Sequence, residues 1–350
     1  MAPVAAQPDT RYSRFWLYAP YIALSVLALA WSAGWLVVRG RAEEALDGWL
    51  AREAAVGRSW TCADRRIGGY PFRVTLDCAS LSLNRGDLSL SLGRTRALVQ
   101  VYQPRHIIAE IEGPLRFGDG SLAVEGEWRL LRVSARASAG GLERASLEAE
   151  KPRLRVSGLP SGGSFAVTGE RLAVHSRPNG TRGGGAYDVA VRATGAVVPG
   201  LDDLVGGEEP ADLGADAVVT RLAGLGVGPL SALAERWRAA GGRVEAATLS
   251  AVKGSRRVEA RGDLGLDDQH RPSGRLDLAA AGVDGTLGAF AGRTAGVADA
   301  VSGMLGGRRE GERARSAPGA LRPLATVRLE NGRVLIGPVT IPGLRLGPLY

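Results

Sequence analysis

Residues Val74–Leu92 read VTLDCASLSLNRGDLSLSL. Val74 and Leu76, then Leu81 and Leu83, then Leu88, Leu90 and Leu92, stand at every second position among Ser, Thr and Asp. A period of two sends these side chains to one face of an extended strand and the polar ones to the other, the pattern of a half-buried β-strand. Asn84-Arg85-Gly86-Asp87 separates two such runs and supplies turn residues, so the stretch predicts consecutive strands joined by a tight turn.

The alternation continues through Ala97, Val99 and Val101, then Ile107, Ile108 and Ile111, Leu122 and Val124, Trp128 and Leu130, Val133, Leu147, Leu154 and Val156. Phe165 and Val167, Leu172 and Val174, and Val189 and Val191 extend it. Gly, Pro, Ser and Asn interrupt it about every ten residues, the spacing of an antiparallel meander. The 50 glycines show no Gly-X-Y period, which excludes collagen and favours a sheet with many tight turns. The expected fold is mainly β (α+β), a long, curved antiparallel sheet with a few flanking helices. So many strands cannot lie flat, so the sheet must curl, fold on itself or form a groove.

Residues 195–215 lose the alternation and are read as a loop at a lobe boundary. Residues 229–240, PLSALAERWRAA, put Leu230, Leu233, Ala234 and Trp237 on one helical face ahead of Gly241-Gly242, which predicts a helix. Strands are expected over 244–252 and 257–266, with a hairpin turn spanning Asp267 to Gly274. A second helix is expected over 283–305, a loop over 308–320, and a terminal hairpin at Asn331-Gly332.

Towards the N-terminus, Phe15–Val38 carries no charged residue across 24 positions, enough to cross a hydrocarbon core. Trp16, Tyr18 and Tyr21 at one end and Trp31 and Trp35 near the other resemble interfacial aromatic belts. An uncleaved anchor is expected; the alternative is a signal peptide cut after Ala28-Leu29-Ala30. Residues 41–56 read as an amphipathic helix continuing from the membrane, with Ala42, Ala45, Leu46, Trp49 and Leu50 on one face and Gly57 ending it. The expected organisation is a cytoplasmic arm (1–14), a transmembrane anchor (15–38), a membrane-proximal helix (39–60) and a periplasmic β-rich domain (61–350).

Cys62 and Cys78 are the only two cysteines and bracket a Gly68-Gly69-Tyr70-Pro71-Phe72-Arg73 unit. In an exported domain a disulfide between them is expected, closing a loop of about 17 residues that contributes on the order of 3 kcal/mol; the alternative is two buried thiols. Gly68-Gly69 permits positive φ, Pro71 pushes Tyr70 towards an extended conformation, and Phe72 is expected to enter the core while Arg73 leaves on the opposite face. The unit is read as a structural corner that starts the sheet.

A net charge of +8 raises the question of nucleic acid, but the 44 basic residues, of which only Lys151 and Lys253 are lysines, are dispersed among acids. The densest run, 308–315, contains two glutamates and reads as a solvated loop. No Gly-x-Ser-x-Gly, Gly-Lys-Ser/Thr phosphate loop, His-Glu-x-x-His or Cys-x-x-Cys is present. His106, His175 and His270 are scattered singly, and the acidic pairs Asp202-Asp203, Glu208-Glu209 and Asp267-Asp268 lack the spacing of a calcium loop. No catalytic residue, metal or cofactor is therefore expected, and a hydrolase would require the histidines to meet a serine or acids in space.

The order of an apolar anchor, WLAREAAVGRSW, a cysteine, IGGYPFR and a second cysteine ahead of a β-rich remainder resembles the bacterial domain-of-unknown-function 2125 family. The Gly-Tyr-Pro-Phe unit is also similar to one in phospholipid-binding proteins of the mycobacterial envelope, and the hairpins near 262–278 and 331–346 resemble pieces of AsmA-like envelope proteins. These resemblances imply an inner-membrane protein whose periplasmic sheet presents an apolar groove to phospholipid or another envelope lipid, with no nucleic-acid partner. The alternative is an envelope scaffold with a filled core. The ligand-binding residues and any protein partners are unknown at this level.

Overall fold

The computed structural model describes residues 14–120, 122–138, 141–158, 163–199, 209–225, 229–282, 321–337 and 339–350. Helix α1 (Arg14–Ala55) runs without a break through the apolar stretch and the amphipathic one. By length and composition it can cross a membrane, a test that a signal sequence also passes. Gly57, at φ +77°, takes the backbone out of the helix into the first strand.

The rest of the described chain is mainly β, as the alternation requires, and forms two antiparallel sheets. The large one contains the long curved sheet expected from the sequence; the small one is an addition to it. The small sheet has seven strands: β1 (Ser59–Ala63), β4 (Ser80–Arg85), β5 (Leu88–Leu92), β8 (Leu115–Gly118), β9 (Ala123–Glu127), β12 (Arg153–Ser157) and β13 (Ser164–Thr168). The large sheet has fifteen. Its first eight are β2 (Arg66–Gly68), β3 (Arg73–Cys78), β6 (Thr95–Gln100), β7 (Gln103–Ile111), β10 (Leu130–Ser138), β11 (Gly141–Glu150), β14 (Arg171–Pro178) and β15 (Tyr187–Ala196). It continues with β16 (Ala211–Val219), β17 (Val244–Lys253), β18 (Arg256–Leu266), β19 (Pro272–Ala281), β20 (Arg322–Glu330), β21 (Arg333–Ile336) and β22 (Val339–Arg345).

Up to β15 the chain visits the two sheets by turns, and the strand order dictates a crease. Seven times it passes between sheets through one to three residues, for example Ala79 alone between β3 and β4, Gly93-Arg94 between β5 and β6, and Lys151-Pro152 between β11 and β12. All seven passages lie at the same end of the strands. Backbone bonds continue the ladder from one passage to the next: Ala79 donates to Ala63 at 2.8 Å, Glu112 to Arg94 at 2.8 Å and Arg129 to Glu150 at 2.9 Å. Space there is tight, because a Cβ on Gly93 would stand 2.4 Å from the Gly113 carbonyl oxygen. The hairpin tips, at Gly86-Asp87 and Val101-Tyr102 among others, lie at the opposite, open end.

One expectation is corrected, two stand, and two fall on residues outside those described. Of the loop read over 195–215, Gly195 and Ala196 close strand β15 and residues 211–215 open strand β16, Ala196 pairing with Ala211, while 200–208 lie outside the described residues. Helix α2 (Leu230–Ala239) and the Asn331-Gly332 hairpin stand where the sequence puts them; Asn331 and Gly332 both have positive φ, as a two-residue hairpin turn demands. The helix expected over 283–305 and the loop over 308–320 also lie outside the described residues.

Candidate functional site

Strand register identifies the face on which each side chain sits, since directly paired residues share a face. Across the large sheet one unbroken row of pairs reads Leu76, Ala97, Ala109, Val133, Leu147, Val174, Val191, Ala215, Leu249, Ala260 and Leu278. Every member is apolar, and ten strand spacings make the row about 48 Å long. The adjoining row on the other face begins Asp77, Arg96, Glu110, Arg132, Glu148. Ion pairs tie it together, Arg96–Asp77 at 2.5 Å and Arg132–Glu110 at 3.3 Å. Many arginines are thus matched by acids on this outer face: Arg177–Asp188, Arg192–Asp216 and the Arg257–Glu259–Arg261 cluster repeat the arrangement.

The small sheet is divided in the same way. Trp60, Leu83, Leu90, Phe117, Val124, Val156 and Phe165 pair in sequence across one face, with Ser, Arg and Glu on the other. Cys62 belongs to this apolar face and Cys78 to the apolar face of the large sheet, paired with Leu81 and Thr95 respectively. Their sulfurs lie 1.99 Å apart, at disulfide-bonding distance. Two side chains can meet in this way only if the two apolar faces look at each other, so the sheets enclose an apolar trough folded along the crease.

Burial follows the shape. Cys78, Thr95, Leu131 and Ala149, at the crease, are buried, whereas Ile107 and Phe165 near the open side are 49% and 38% exposed. Most of the apolar row is half-buried, and among the described residues no large side chain is fully buried. A filled sandwich of this width would bury many.

At the N-terminal end of the trough, the GGYPFR unit meets α1. Trp31 Nε1 donates to the Pro71 carbonyl at 3.1 Å, Trp35 Nε1 to that of Arg73 at 3.3 Å, and the Ser32 and Tyr70 hydroxyls are 2.9 Å apart. The Trp31 and Phe72 rings lie 5.6 Å apart and the Trp35 and Tyr70 rings 5.5 Å. Gly69, at φ +104°, makes the turn, while Gly68 pairs with Thr75 in β2. Phe72 does not enter the core as expected: it is 59% exposed, because the turn projects beyond the end of the sheet and the Trp31 ring is the apolar surface within reach. Arg73 is exposed on the charged face. Lower on α1, Trp49 packs 5.7 Å from Trp60 and Arg65 pairs with Asp47 at 2.6 Å. Glu53 accepts from Arg58 and Trp60, and the Arg58 guanidinium holds its carboxyl below the usual range.

The histidines stay apart. His106 Nε2 lies 2.9 Å from Ser134 Oγ on the charged face, and His175 follows beyond β10 and β11, about 14 Å away by strand spacing. His270 is 3.4 Å from Glu235 and stacks on Tyr350 at 4.5 Å, where α2, the β18–β19 turn and the C-terminus converge. Arg238 holds Glu235 down to about 2 and also reaches Asp268 at 3.0 Å. This cluster docks α2, whose Trp237 Nε1 donates to the Thr220 carbonyl at 2.8 Å. Among the described residues no His, Cys, Asp or Glu group could hold a metal.

The fold and site define a class: a β-rich protein with an apolar trough held beside a helix long enough to cross a membrane. The chain belongs to the family described as an uncharacterized protein conserved in bacteria, DUF2125, which matches residues 35–344. No curated protein and no solved structure matches it.

Proposed function

We propose that the protein binds or transfers lipid, with α1 anchoring it in the inner membrane and the trough facing the periplasm. The observation that carries the reading is the eleven-strand apolar row on the inner face, half-buried along its length and backed by a charged outer face. An acyl chain spans about 15 Å, half a hydrocarbon core, so the row offers roughly three chain lengths of apolar wall. Each CH₂ removed from water there contributes about 0.8 kcal/mol. Phospholipid or another acyl-bearing envelope lipid is the proposed ligand, and binding rather than catalysis the proposed activity. The Cys62–Cys78 pair supports an oxidising compartment. The ion-paired arginines of the outer face argue against nucleic acid as partner, since their charge is already met.

Native mass spectrometry of the full chain extracted from its own membrane, with displacement of a fluorescent fatty acid, tests the reading. Co-purifying acyl lipid and saturable displacement are expected. A chain that carries no lipid and binds no fatty acid overturns it and leaves the envelope scaffold.

A further inference from the structure

The turn that the sequence presents as a corner is placed to touch a bilayer. Trp31 and Trp35 stand seven and three residues before Val38, the end of the apolar run, hence about 10 and about 5 Å inside that end at 1.5 Å per residue. Against a hydrocarbon core of about 30 Å this puts Trp35 at the rim of the interfacial layer and Trp31 just inside the acyl region; Trp and Tyr concentrate at that rim because one end of the ring is apolar and the other takes a hydrogen bond. The turn is bonded to α1 at this level through the Pro71 and Arg73 carbonyls and the Tyr70 hydroxyl. Its free surface is aromatic: Tyr70 is 54% exposed, Phe72 59%, and Tyr102 of the neighbouring β6–β7 turn 67%. The two turns are joined by a 3.0 Å bond from Val101 N–H to the Phe72 carbonyl. Arg73 and Arg105, both exposed, stand next to the two turns, with long side chains that can reach outwards to lipid phosphates.

We infer that Tyr70, Phe72 and Tyr102 form a foot seated in the interfacial layer of the bilayer that α1 spans, so that the open side of the trough at β3, β6 and β7 begins at the lipid surface. This rests on the proposal that α1 is a membrane anchor. It adds a route: an acyl chain passes from the adjoining leaflet along the foot onto the apolar row without crossing bulk water.

The test uses the full chain in phosphatidylethanolamine–phosphatidylglycerol vesicles, carrying a single added cysteine with a nitroxide label at Tyr102→Cys or, as reference, at Thr181→Cys in the β14–β15 turn. Flotation with the vesicles reads the anchor. Collision rates with oxygen and a water-soluble nickel chelate read depth. The label at 102 is expected to favour oxygen and that at 181 nickel. A chain that floats with residue 102 as open to nickel as residue 181 overturns the foot and leaves the anchor standing; a chain that fails to float overturns both. Phe72→Ser with Tyr102→Ser is expected to load fluorescent lipid from vesicles about tenfold more slowly while binding fatty acid in detergent unchanged. Equal loading rates contradict the route.

Discussion

The large sheet is built twice over in one register, and its two halves differ in what faces them. From β2 to β15 the apolar face looks across a crease at a seven-stranded partner; from β16 to β22 the same face continues with no second sheet among the described residues. The difference comes from strand length and connection. In the first half, the four- to six-residue strands of the small sheet alternate with large-sheet strands that lengthen from three and six residues in β2 and β3 to between eight and ten in β10, β11, β14 and β15, and each change of sheet takes one to three residues. From β16 to β19 every strand has nine to eleven residues and each connection returns within the sheet. The second sheet exists only where short strands leave the large sheet and return to it. The first half also holds the contacts with α1, so the trough stands beside that helix.

The largest expected effect separates the halves at the cysteines. Cys62→Ser, or reduction of the pair, removes a cross-link between residues 16 apart in sequence, worth about 3 kcal/mol by loop entropy. Hydrogen exchange should quicken across β1, β3, β4 and β6 and stay unchanged across β17–β19. Uniform loss of protection would mean that the halves unfold as one unit and that the distinction is only topological.

Next comes a matched pair on the apolar row. Leu147→Asp places a carboxylate opposite the small sheet, and Leu249→Asp the same charge where one sheet stands alone. The first should cost about 2 kcal/mol in urea unfolding and abolish fatty-acid binding, the second about 1 kcal/mol. If Leu249→Asp also abolishes binding, the lipid surface extends over both halves. If neither substitution alters binding, the trough is not the lipid site.

A smaller effect is expected where α1 meets the sheet. Trp31→Phe keeps a ring against Phe72 but removes the donor to the Pro71 carbonyl, a loss of about 1 kcal/mol. Protease access at Arg73 should rise while exchange in β17–β19 stays level.

What the sequence discloses, and what it hides, divides along the same line. The leucines of 81–92 and the valines of 189–191 announce strands because period two is a local signal, and Asn331-Gly332 announces its hairpin because positive φ is a property of those residues. The crease is hidden for a physical reason: Gly93-Arg94 or Lys151-Pro152 would serve equally well as a hairpin turn within one sheet, and only pairing with distant strands reveals that the chain has changed sheets. Strand β16 is hidden because ADLGADAVV fills its inner positions with Leu and Ala and its outer ones with Asp and Gly, a contrast too weak to separate from a loop. Phe72 misleads because a large apolar residue beside a strand normally turns inward, and its partner, Trp31, lies 41 residues earlier on a helix whose position no local pattern reports.

The smallest effect belongs to the second half and to acid. Glu235 ties α2 to the β18–β19 turn through His270 and to the C-terminus through Tyr350, and pairs with Arg238 one turn along the same helix. Because Arg238 lowers its folded pKa from 4.5 to about 2, its contribution is complete above the unfolded value and disappears as pH falls through about 2. The carboxylate is largely open to solvent, so the gain is slight and screened by salt. Comparing wild type with Glu235→Gln cancels the intrinsic pH dependence of exchange. Extra protection of 230–239 in the wild type should be present at pH 6, shrink below about 4.5 and be absent near 2. The α1 contacts at Trp31 and Trp35 contain no carboxylate and should hold across that range, so acid would free α2 while leaving the trough beside α1. Release of both together would show that Glu53–Arg58, at the other end of the molecule, carries more of the α1 docking than the aromatic turn does.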